Sequence, residues 1–78
     1  MSGFEQIAAV MRANVGRPVV FPLPGENVRG TLTQAYVSNA NPEDFRLHLN
    51  VKTSRGPRNF VVRLTRTEKG VSRAVFEV

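Results

Sequence analysis

Phe45, Leu47, Leu49 and Val51 alternate without a break with Arg46, His48, Asn50 and Lys52. A period of two sends successive side chains to opposite faces, so this stretch reads as a strand with one apolar and one wet side. The rest of the chain is organised around it. Phe60, Val62 and Leu64 continue the apolar phase across a turn containing Arg55-Gly56-Pro57-Arg58, read as an exposed hairpin tip. Thr67 to Gly70 forms a tight turn, and Ala74, Phe76 and Val78 share one side of a last strand. Before it, Val19, Phe21 and Leu23 alternate with Val20, Pro22 and Pro24. The prolines cannot donate to a ladder, so this strand belongs at an edge. Pro24 to Asn27 is a turn, Val28 to Val37 a strand, and Gly30 either a bulge or a point of close approach.

The N-terminal segment has a different period. Phe4, Ile7, Ala8 and Met11 follow the i, i+3, i+4, i+7 spacing of one helix face. Ser2-x-x-Glu5 reads as a capping box, and Gly16 and Pro18 stop the helix. The expected fold is α+β, mainly β, in one domain over residues 1–78. A helix at about 3–14 packs on five antiparallel strands at about 18–23, 28–37, 45–52, 60–66 and 71–78, as a meander or small barrel.

A chain of 78 residues buries only about 60% of its unfolded surface, so a single core leaves it marginally stable. It has no cysteine, which removes disulfides and thiolate metal sites. Stabilisation is then expected from another subunit or a bound partner. No apolar run approaches a membrane span, and the N-terminus lacks the pattern of a signal peptide. A soluble, non-secreted protein of a reducing compartment is expected.

Enzyme chemistry has little to work with. His48 is the lone histidine and sits on the wet phase of its strand. Glu43 and Asp44 are adjacent, so in an extended chain they point apart. Gly25 and Gly30 have the glycine spacing of a phosphate loop but no lysine follows. Neither a catalytic residue, a cofactor nor a metal is expected.

Charge is unevenly placed. Arg46, Lys52, Arg55, Arg58, Arg63, Arg66, Lys69 and Arg73 face one intervening acid, Glu68, while the whole chain carries +5. Pairing of the third and fourth strands would put Arg46, His48, Lys52 and Arg63 on one face, with Arg55 and Arg58 at its tip. These six residues are the expected contact for a polyanion or protein partner, since guanidinium forks suit phosphate oxygens. Phe45, Phe60 and Phe76 fall in the apolar phase and are expected in the core. Tyr36 is the one aromatic expected at the surface. Charge reversal at Arg55, Arg58 and Arg63 is expected to spare the fold.

Two resemblances extend this reading. A helix with Phe4 leads to Gly16-Arg-Pro-Val19, then Val28-Arg-Gly30, then a Phe60-Val61-Val62 strand, a turn with Gly70 and an alternating final strand. This order resembles the small head–tail joining proteins of lambda-type tailed phages. It implies a compact β-fold, no catalytic residues, and a ring between portal and tail around the DNA path. Leu23-x-Gly25-x-x-Val28-x-Gly30-x-Leu32 resembles the first half of the first motif of Sm-like RNA-binding proteins, which also form rings. The leading expectation is a non-enzymatic virion connector component, homo-oligomeric, found in the host cytoplasm and then in the virion. Its partners would be itself, neighbouring virion proteins and possibly DNA or RNA backbone. The alternatives are an Sm-like barrel binding nucleic-acid backbone through the basic hairpin, and a small phage inhibitor of a host protein.

Overall fold

In the computed structural model, residues 3–78 are described. One helix, α1 (Gly3–Ala13), precedes five strands: β1 (Pro18–Leu23), β2 (Glu26–Asn39), β3 (Phe45–Thr53), β4 (Gly56–Thr67) and β5 (Gly70–Glu77). The strands form one antiparallel sheet in chain order. The expected architecture holds, with each hairpin connecting spatial neighbours. Ser2 of the expected capping box lies outside the described residues.

The sheet curls into a half-barrel. Its concave face carries Val28 and Leu32 of β2, Leu47, Leu49 and Val51 of β3, and Phe60, Val62 and Leu64 of β4, all buried. The Phe21 ring of β1 lies 5.1 Å from that of Phe60 on β4. These strands are not neighbours in the order, so their contact measures how far the sheet has rolled up. Among the described residues β1 and β5 do not pair, and the barrel stays open. The helix covers part of the concave face. Phe4 and Ala8 are buried, Phe4 lies 5.4 Å from Phe45, and the Arg66 guanidinium sits 5.4 Å over the Phe4 ring. Ile7, expected on the buried helix face, is 44% exposed, because this short helix meets the core along Phe4, Ala8 and, partly, Met11.

The curl has local causes in β2. Its register slips between Leu32 and Gln34 and again between Val37 and Asn39. Each slip is a bulge, which raises the local twist and bends the strand. The first lets Leu32 and Ala35, three residues apart, both face the core. The Thr33 hydroxyl there donates to the carbonyl oxygen of Asn50 at 3.0 Å. Gly30 is a point of close approach: a Cβ on it would lie 2.3 Å from the backbone oxygen of Lys52. The strand is also longer than the expected 28–37.

The β3–β4 connection is tighter than expected. Thr53 pairs with Gly56, so only Ser54 and Arg55 form the tip, and Pro57 and Arg58 belong to β4. The β4–β5 hairpin repeats the pattern, with Thr67 paired to Gly70 around Glu68 and Lys69. In both, the threonine hydroxyl donates to the glycine carbonyl and accepts the amide of the residue before that glycine. One threonine thereby ties off each turn.

Candidate functional site

The convex face is open along four strands, and register alone arranges it in rows. Tyr36 pairs with His48, His48 with Val61 and Val61 with Phe76. All four share a face, so a row of rings and methyls crosses β2 to β5. Tyr36 and His48 stack with ring centroids 4.8 Å apart and planes 16° from parallel. Tyr36 is 42% exposed and Phe76 53%. On one side of this row Asn50 Nδ2 donates to Gln34 Oε1 at 2.8 Å, with Asn59 paired to Asn50 beyond. On the other side Arg46 faces Arg63.

Phe76 was expected in the core and is not. The phase of β5 was read correctly, but the side was not. Val62 pairs with Val75, so Val75 points inward and Ala74 and Phe76 point out. A one-residue change of register exchanges the faces of a strand. A short final strand at a sheet edge carries little in its sequence to distinguish the two.

The expected basic face is only partly assembled. Arg46, His48, Lys52 and Arg63 do share the convex side. However, Asp44 receives Nε of Arg63 at 2.7 Å and Nη2 of Arg46 at 3.0 Å. These charge-assisted bonds, Arg46 first and then Arg63, hold the Asp44 carboxyl below the usual carboxylate range. Arg58 is not at the tip and not on this face. It pairs with Val51 and shares the concave phase of Phe60, lying 5.4 Å over that ring. There it is bonded to Glu77 and to Glu26 at 2.8 Å. Those two carboxylates raise the Arg58 pKa, and Arg58 lowers that of Glu77. The acids that neutralise these arginines come from β2, the loop before β3, and β5, all outside the basic stretch of sequence.

Arg58→Glu is therefore expected to lower the melting temperature, contrary to the sequence expectation. It would gather three carboxylates over Phe60 where a cation now joins β2, β4 and β5. A thermal melt at pH 7 checks this, with Arg55→Glu as the neutral comparison.

The sign for Asp44 follows from its lowered pKa. Its contribution to stability is present above its unfolded value, about 3.9, and is lost as pH falls through the lower folded value. Asp44→Asn should thus melt below the wild type at pH 7, and the two curves should converge as the pH is taken progressively below that unfolded value. A constant gap across that range would mean that the carboxylate's charge is not what stabilises.

Three cations without an ion pair among the described residues, Arg29, Lys52 and Arg55, gather at the opposite end of the convex face. Lys52 faces Thr31, and Arg29 lies two residues before Thr31 on the same side of β2. Arg55 occupies the adjoining turn. Of the three, Arg29 lines an open groove of about 520 Å³, together with Pro18, Val19, Val20, Gly30, Thr31 and Ser54. Arg29 was missed in the sequence because its half of the chain is not basic overall.

Compared with protein-family models, curated proteins and solved structures, the chain matches none. No group of three or more His, Cys, Asp or Glu that could hold a metal occurs among the described residues. No helix among them is long and apolar enough to cross a membrane.

Proposed function

We propose that the convex face binds single-stranded nucleic acid. The observation carrying this reading is the uncovered aromatic row, with the Tyr36–His48 stack at its head. Bases stack on exposed aromatic faces with little dependence on sequence, and cations along the same groove track the phosphates. Lys52, Arg55 and Arg29 serve the phosphates at one end. Arg46 and Arg63, sharing one carboxylate, keep a residual positive charge at the other. The amides of Asn50, Gln34 and Asn59 lie between. The role is non-enzymatic.

The test is fluorescence anisotropy with a labelled single-stranded oligonucleotide at 50 and 200 mM salt. Binding should weaken with salt, because each neutralised phosphate releases counterions. Tyr36→Ala should weaken binding about tenfold, in line with about 1–3 kcal/mol per stacked base. Asp44→Asn should tighten it by freeing two guanidinium groups. Absence of binding at 50 mM salt, or indifference to Tyr36→Ala, would rule the reading out.

A second reading is supported by a separate apolar group. Ile7 and Val10 of α1 and Val71 of β5 are 44%, 60% and 60% exposed. A protein neighbour would cover such a surface, as the resemblance to head–tail joining proteins implies. Mass spectrometry of purified particles from an infected host tests that role, and absence of the chain from virions would exclude it.

A further inference from the structure

The two edges of the half-barrel differ in what they offer a second strand. On β1 the amide of Leu32 donates to the oxygen of Arg17. Ladder bonding alternates along an antiparallel strand. Val19 and Phe21 therefore point their backbone groups at β2, and Pro18, Val20 and Pro22 point theirs at the free edge. Two of those three have no N–H, so this edge is blunted. On β5 the amide of Val78 donates to the oxygen of Asn59. The same alternation turns Arg73, Val75 and Glu77 outward, each with donor and acceptor intact. Sheet order ends there, so nothing among the described residues pairs with that edge.

We propose that β5 pairs antiparallel with β5 of a second copy, about a two-fold axis through Val75. Val75 then meets its own counterpart, and Arg73 of each copy faces Glu77 of the other. The three outward residues become the hydrogen-bonded positions of the new ladder. Charge selects this register. Centring on Arg73 or on Glu77 would set like charges opposite each other, which is destabilising. Centring on Ala74 would face Arg73 with Val75 and leave both charges unmatched. Glu77 and Glu26 already share the single cation of Arg58, an excess of one negative charge. Arg73 has no ion pair among the described residues, and the second copy brings it to that excess. On the convex side Phe76 packs beside Ala74 and Val78 beside Ser72, covering side chains that are 53% and 79% exposed. Such an isologous contact closes as a dimer. A head-to-tail ring made by strand pairing would instead have to seat β5 on the proline edge. The dimer does not depend on nucleic acid, and it would join two aromatic rows into one continuous face.

Sedimentation should give twice the 8.7 kDa chain mass. Arg73→Glu, which sets acid against acid, should return it to the monomer mass. Val75→Pro removes an edge donor without touching the β4 ladder and should do the same. The chain has no cysteine of its own. Val75→Cys should cross-link to a covalent dimer on mild oxidation, since facing Cα atoms in such a pair lie about 5.5 Å apart, within disulfide reach. Val20→Cys, on the proline edge, should not. The proposal is overturned by a monomer mass at every concentration, by a dimer indifferent to Arg73→Glu, or by equal cross-linking at both edges. Oligonucleotide anisotropy on the monomeric variant separates this result from the binding reading. A variant that no longer dimerises but still binds leaves that reading intact.

Discussion

Gly30→Val should prevent folding, or leave a protein that melts far below the wild type. Adding any Cβ at this position places it 2.3 Å from the backbone oxygen of Lys52, 2.9 Å from the carbonyl carbon and 2.9 Å from a Val51 methyl. The nearest obstacle is main chain, so no rotamer change relieves the clash. Relief would require β2 to part from β3 at the Thr31–Lys52 pair, in the middle of the sheet. Even Gly30→Ala gains only about 0.4–1 kcal/mol from a less free unfolded chain. Overpacking costs about 1–3 kcal/mol where side chains can yield, and more where they cannot. The clash therefore wins. Gly3→Ala is the comparison, as a Cβ there meets nothing within 4 Å. Circular dichroism melts of the three proteins decide it, and a Gly30→Ala melt equal to wild type would show that β2 can shift freely.

Phe60→Ala should lower the melting temperature by about 12 °C or more. The side chain is 1% exposed, and its ring meets Phe21 from the far side of the curl and Arg58 from above. Truncation of a buried phenylalanine costs about 3–5 kcal/mol. At about 0.05–0.15 kcal/mol per residue, a chain this size has only about 4–12 kcal/mol in all. Each kcal/mol moves the melting point of so small a domain by about 4–8 °C. Phe21→Ala removes the same ring contact from a partly buried position and should cost less. If the two variants melted alike, the Phe21–Phe60 contact would account for most of what Phe60 contributes.

Legibility varied with how much each segment repeats. In β3 every second residue from Phe45 to Val51 is apolar, and β4 repeats this from Phe60 to Leu64, so period, partner and inward face could all be read. The helix was legible from its spacing, but not how narrow its contact would be. Ile7 has the right phase, yet its exposure depends on where the sheet ends beneath it. In β2 the bulges after Leu32 and Val37 break the period, so the strand was seen and its bend was not. The basic hairpin misled because charge was summed along the chain. Asp44, Glu26 and Glu77 lie outside that stretch and are brought to Arg46, Arg63 and Arg58 by strand register. The candidate site was therefore half legible: His48, Lys52 and Tyr36 could be placed outward, whereas Phe76 and Arg29 could not.

Alternation, proline and turn residues are local properties, and they sufficed to specify one helix followed by five antiparallel strands with β1 at an edge. Which guanidinium groups keep a free charge, which way β5 faces and how far the sheet rolls up were decided by tertiary structure. Those outcomes depend on the meeting of residues far apart in the chain. Electrostatic cancellation and burial act through distance in space, which a linear pattern does not encode.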